Sequence, residues 1–150
     1  MRKLIFIAVM AIAAAAAAQE KPAYDEELAK KLGADEYGMR NYVVVILKTG
    51  DKVISGQKER AEILARHMAN IERMADEGKL AIAGPFGDNN SEYRGMYIFN
   101  VQTVEQAKAL AESDPAVISG MMKAEYYPWY GSAALLEINV THKKIAKKHF

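Results

Sequence analysis

The chain has 150 residues, 20 Lys+Arg against 19 Asp+Glu, 51% hydrophobic and 26% charged residues, and no cysteine. These totals fit one globular domain and exclude a wholly disordered chain and a fold held by disulfides. A net charge of +1 gives no electrostatic footprint for a dedicated nucleic-acid binder.

Residues 1–18, MRKLIFIAVMAIAAAAAA, carry Arg2 and Lys3, then an apolar stretch, then small residues that fit an A-x-A cleavage site at Ala16 to Ala18. They read as a secretory signal peptide cut before Gln19. The rival reading is a membrane anchor, but the run Leu4–Ala18 is short and half alanine, where a spanning helix needs about 20 strongly apolar residues. The expectation is therefore a periplasmic or secreted protein with no stable membrane insertion after cleavage. Without the leader the cations fall by two, and the body from Gln19 to Thr141 is mildly acidic, because four lysines lie in the tail HKKIAKKHF. That tail reads as a solvated end or a short helical cap.

A leader spans 19–40. Within it DEELAKKLG offers Asp25 as an N-cap, acids in the first turn, lysines in the last and Gly33 as a stop, so it predicts a short helix. Tyr42–Lys48, YVVVILK, predicts a strand apolar on both sides, with Val43, Val45 and Leu47 on one face and Tyr42, Val44 and Ile46 on the other. A long amphipathic helix follows from about Gln57 to Glu77, with Ile63 or Leu64, His67, Ile71 and Met74 at helical spacing. Lys79–Gly84 and Arg94–Val101 predict two further strands joined as a hairpin through GPFGDNN. Thr103 with Gln106 forms a capping box for a second helix, Asp114-Pro115 opens a short turn, and Met121–Tyr130 predicts the last strand, at an edge or end because of Pro128.

The order β-α-β-β-α-β over 41–130 predicts an α+β, ferredoxin-like fold: a four-stranded antiparallel sheet with both helices on one face. Residues 131–150 form a C-terminal extension with the basic tail. The opposite sheet face is apolar, and the simplest cover for it is a second copy of the chain, hence an expected homodimer of the dimeric α+β barrel type.

His67 is the first candidate for chemistry, an ionisable ring in an otherwise apolar stripe. A lone histidine there is ordinarily a core residue bonded to backbone. Asp88, in the loop after the second strand, offers a partner: a carboxylate accepting from one ring nitrogen fixes the tautomer and frees the other nitrogen as a base. His67 followed by GKLAIAGPFGD, with DPAVISG and EYYPW downstream, resembles the YCII-related (YciI-like) family over roughly Asn41 to Tyr130. The resemblance implies the same dimeric ferredoxin-like fold and a catalytic His-Asp dyad, here His67 and Asp88, in a small-molecule pocket. It also implies kinship with muconolactone isomerase and antibiotic-monooxygenase relatives, and with a dehydrochlorinase acting on a chlorinated hydroxyquinol.

Further candidates compete with plain structural roles. Arg94, beside Tyr93, could clamp an anionic substrate group or simply be a solvated strand-start arginine. Tyr126, with Tyr127 and Trp129, could line an aromatic pocket or belong to the core or a dimer interface. Arg60, Arg66 and Glu72 read as a solvated helix face. His142 and His149 lie seven apart in the tail and His67 has no second ligand at a recognised spacing, so no metal site is expected. No phosphate loop or nucleophile elbow occurs, and no cofactor is expected. The reading is a cofactor-independent acid/base enzyme of lyase, isomerase or dehydrochlorinase type acting on a small organic molecule. The alternative is a non-catalytic dimeric ligand-binding or accessory protein of the cell envelope.

Overall fold

A computed structural model describes residues 23–148. The signal-peptide reading falls on residues outside these, as does His149. The leader helix α1 (Glu26–Leu32) begins where the Asp25 carboxylate accepts the Leu28 amide at 2.9 Å and ends at Gly33, whose φ of 63° is the left-handed stop that glycine tolerates.

Strands β1 (Met39–Thr49), β2 (Leu80–Pro85), β3 (Tyr93–Phe99) and β4 (Met122–Ser132) form one antiparallel sheet in the order β2-β3-β1-β4. The four strands, with helices α2 (Gln57–Asp76) and α3 (Val104–Ala111), give the expected ferredoxin-like α+β arrangement. β1 and β4 each run beyond the expected boundaries because they pair along their whole length, Met39 opposite Ser132 through Thr49 opposite Met122. Pro128 is tolerated because β4 is an edge strand. Thr103 and Gln106 make both bonds of the capping box of α3. Asp114 caps a four-residue helix, α4 (Pro115–Ile118), with Pro115 in its first turn.

The two faces of β1 lead to two cores. Val43, Val45 and Leu47 join Tyr97 and Phe99 of β3, Leu80, Met74 of α2, and Ala107 and Ala111 of α3 in the main core beneath the helices. The small alanines let α3 sit close to the sheet. On the other face Tyr42, Ala81 and Ile98 are buried, with Val44, Ile82 and Met96 packed around them.

Here the structure corrects the expectation that the chain itself leaves this face bare; part of it is covered by the chain's own extension. Leu135 and Leu136, in a 3-10 turn at Ala133–Glu137, pack onto Tyr42, Ala81 and Ile98. Helix α5 (Ile138–Ile145) follows, fixed by Asn139 Nδ2 donating to the Leu80 carbonyl at 2.7 Å and by Lys143 to Asp76 at 2.6 Å. The Tyr42 hydroxyl donates to the Ser132 carbonyl at 2.9 Å, and Lys31 of α1 pairs with Glu137 at 3.1 Å. The leader is tied down by Arg40 to the Leu32 carbonyl and by Tyr130 to the Asp35 carboxylate. What the extension leaves uncovered on that face lies toward Ile46, Met96 and Tyr127, the tyrosine being 50% exposed.

Candidate functional site

His67 sits midway along α2, on the stripe with Ile63 and Met74 that faces the sheet, and is buried. Its Nδ1 lies 2.8 Å from Asp114 Oδ1 and 3.0 Å from Oδ2. The Asp114 carboxylate is fully buried and collects three further donors: the Ala116 amide at 2.8 Å on Oδ1, and on Oδ2 the Tyr97 hydroxyl at 2.9 Å and Asn70 Nδ2 at 3.3 Å. The backbone of α4 positions Asp114 by the ordinary logic of an N-cap, a side-chain oxygen taking the free amide at the helix start. Tyr97 reaches it from β3, and its ring lies 6.3 Å from that of His67 between centroids.

A buried carboxylate is costly unless its oxygens are supplied with donors. Burial alone pushes the Asp114 carboxyl up, but the hydrogen bond and charge of His67, with the Ala116 amide and Tyr97, outweigh it and hold the group below the usual carboxylate range. Burial, reinforced by the neighbouring Asp114, pushes the Tyr97 phenol up, so its hydroxyl stays protonated and acts as a donor. An ionised Asp114 has only acceptors to offer, so the Nδ1 that faces it carries the proton. In the neutral ring the lone pair then falls on Nε2, which has no hydrogen bond to a protein group among the described residues. The arrangement can accept a proton at Nε2 and balance the resulting ring charge with Asp114.

The expected partner of His67 is thus corrected. Asp88 lies exposed in the β2–β3 hairpin loop and makes no hydrogen bond to His67; the Nδ1 position is already filled by Asp114. The reason is topological. The hairpin loop projects beyond the sheet end, whereas the connection from α3 to α4 turns back beneath α2 and delivers its carboxylate to the ring. The signal for Asp114 was present in the Asp-Pro pair, read only as a helix opener. Tyr97 and Asn70, the latter three residues after His67, are the functional residues that the sequence reading leaves without a role.

The remaining candidates are not brought to His67. Tyr93 stacks with Phe86 at 5.7 Å and under Lys48 at 5.8 Å; Lys48 shares its side of β1 with Ile46 and Val44, the face away from the helices. Arg94 is exposed and donates from Nε to the Thr49 hydroxyl at 2.7 Å. Tyr126 is on the helix side, but Val45 separates it from Tyr97 across the sheet. It lines a hollow with Val117, Gly120 and Met122 whose walls include neither His67 nor Asp114. Among the described residues no three His, Cys, Asp or Glu side chains gather as metal ligands, and no helix is long and apolar enough to cross a membrane.

Fold and site together define a ferredoxin-like α+β protein with a buried His-Asp pair set between its helices and its sheet. The YCII-related domain family matches residues 41–130, more than half of the chain, and the protein belongs to that family. It is similar to the uncharacterized protein YjpA of Bacillus subtilis (strain 168), with 26% identity over 91 residues covering 61% of this chain and 95% of YjpA. Among solved structures it is similar to the 5-chloro-2-hydroxyhydroquinone dehydrochlorinase TftG of Burkholderia phenoliruptrix AC1100 in complex with 2,5-dihydroxybenzoquinone. The likeness has 18% identity, covers 58% of this chain and 92% of that one, and has a TM-score of 0.42.

Proposed function

We propose that the protein is a cofactor-independent acid/base catalyst for a small organic molecule, with His67 as the proton-transferring group and Asp114 as its positioning residue. One observation carries this reading: a fully buried carboxylate holds Nδ1, while Nε2 has no hydrogen-bond partner among the described residues. In the reaction Nε2 takes a proton from an acidic carbon or hydroxyl of the substrate. Asp114 balances the imidazolium so formed, and the ring returns the proton to another substrate atom or to a leaving group. Isomerisation and elimination both follow that course. Tyr97 keeps its proton on Asp114 and so prevents the carboxylate from competing as the base.

Two further parts of the reading concern the whole molecule. Export to the periplasm or medium rests on the sequence of residues 1–18. Self-association rests on the part of the sheet face that the C-terminal extension leaves open, where Tyr127 is 50% and Trp129 41% exposed; sedimentation showing only monomer at micromolar concentration would remove it.

The test of the catalytic reading is deuterium incorporation from heavy water into a panel of hydroxyaromatics, lactones and enolisable ketones, followed by NMR. The protein is expected to accelerate exchange for one class of compound, and His67→Ala to lower that rate by about 100-fold or more, the usual contribution of a general base. Exchange unaltered in His67→Ala, or a ligand bound tightly with no exchange or turnover of any kind, contradicts it; the second result is that expected of a binding protein.

A further inference from the structure

Asn70 stands three residues after His67 on α2, so the two side chains share one side of the helix. Its amide has two unlike ends, and both are engaged. Nδ2 lies 3.3 Å from Asp114 Oδ2, while Arg73 Nη2 donates to Oδ1 at 2.7 Å. Arg73 also donates through Nη1 to Glu77 at 2.8 Å, and Lys79 holds the other oxygen of Glu77 at 2.7 Å. A guanidinium has only donors, so the oxygen of the Asn70 amide must face Arg73 and its nitrogen must face Asp114. An arginine whose side chain is 48% exposed thereby sets the direction of an amide aimed at a buried carboxylate.

We infer that Asn70, oriented by Arg73, is a positioning residue that occupies Oδ2 of Asp114 and so directs the Nδ1–H of His67 to Oδ1. The inference rests on the acid/base reading of His67. His67 Nδ1 is almost equidistant from the two oxygens, at 2.8 and 3.0 Å, and its own geometry hardly chooses between them. The other donors do. Oδ1 has the Ala116 amide, whereas Oδ2 has both the Tyr97 hydroxyl and Asn70, which take up the charge on that oxygen and leave Oδ1 the better acceptor. The groups facing Asp114 come from three elements: His67 and Asn70 from α2, Tyr97 from β3 and the Ala116 amide from α4. No lysine or arginine among the described residues bonds it directly, so Arg73 acts on it through the Asn70 amide.

A mere tether between α2 and the turn before α4 would alter stability without altering the proton shared by His67 and Asp114. The test therefore reads that proton, as the Nδ1–H resonance of His67 in ¹⁵N-labelled protein. In Asn70→Leu Oδ2 loses a donor and competes with Oδ1 for the ring proton, so the hydrogen bond is split between the two oxygens and the resonance moves upfield. In Arg73→Met the amide is free to turn and the resonance moves the same way by less; Arg73→Lys, which keeps a donor for Oδ1, brings it back toward the native position. A resonance unmoved or moved downfield in Asn70→Leu overturns the inference, and movement there with none in Arg73→Met overturns the part given to Arg73. Should Asn70→Leu fail to give a native backbone spectrum, Arg73→Met, on the exposed side of the helix, carries the test alone, and an unmoved or downfield resonance overturns the inference. Failure of the acid/base reading looks different: the unaltered protein would then carry its ring proton on Nε2.

Discussion

The two faces of the sheet are covered in different ways. On the helix side, α2 and α3 bury an apolar core and enclose one dense polar cluster, His67, Asp114, Tyr97 and Asn70, in which Asp114 is the acceptor for every other member. On the opposite side the chain's own C-terminal extension lays Leu135 and Leu136 on Tyr42, Ala81 and Ile98, with polar anchors only at its margins. The first face contains a group whose protonation matters; the second is covered, as far as the extension reaches, by apolar contact. A polar cluster at the centre of a core is costly to build and fails when one member is removed, whereas an apolar cover loses stability in proportion to the surface it gives up.

The largest expected effect is therefore on the helix side. Asp114→Ala leaves His67, Tyr97, Asn70 and the Ala116 amide without their common acceptor and is expected to cost about 3–5 kcal/mol in urea unfolding. Leu136→Ala on the other face is expected to cost about 1–2 kcal/mol, less than for a fully buried leucine because Leu136 is half-buried. If the two costs came out equal, the contrast between the faces would be broken.

The pH dependence sharpens the same contrast. Asp114 has a folded-state pKa below its ordinary value of 3.8, so the unfolded chain binds its proton more readily. The stability it contributes is present in full above that ordinary value and is lost as pH falls through it toward the lowered folded value. Acid unfolding of the native protein should contain this component, and Asp114→Asn should lack it, whereas Leu136→Ala should lower stability by the same amount at pH 4 and pH 7. Lys143→Ala stands at the small end: its ion pair to Asp76 is exposed on both sides and screened by water, so the melting temperature should not move beyond error.

The strands, helices α2 and α3, the caps of α1 and α3 and the two-sided character of β1 were readable from sequence because each depends on local pattern. The capping box at Thr103 and Gln106 and the stop at Gly33 are of that kind. The fate of the second face was not, since period-2 patterning says that a face must be covered and not by what; Leu135 and Leu136 carry no strand or helix period that would send them back to Tyr42. His67 was found because an ionisable ring interrupts an apolar stripe. Its partner was missed because Asp88 and Asp114 are both acids beside a turn, and only the path of the chain between α3 and α4 decides which one lies beneath α2. Asp114 also had a sufficient local explanation as the cap of Pro115–Ile118, which concealed its second role.

The central claim, that His67 works through Asp114, is tested most directly by the rate at which diethyl pyrocarbonate acylates His67, followed by mass spectrometry of its peptide in the native protein, Asp114→Asn and Asp88→Asn. Acylation requires a ring nitrogen with a free lone pair, and with Nδ1 held by Asp114 that nitrogen is Nε2. The account predicts modification of His67 in the native protein at a rate that Asp88→Asn leaves unchanged and Asp114→Asn lowers. A rate that falls in Asp88→Asn and holds in Asp114→Asn would contradict it.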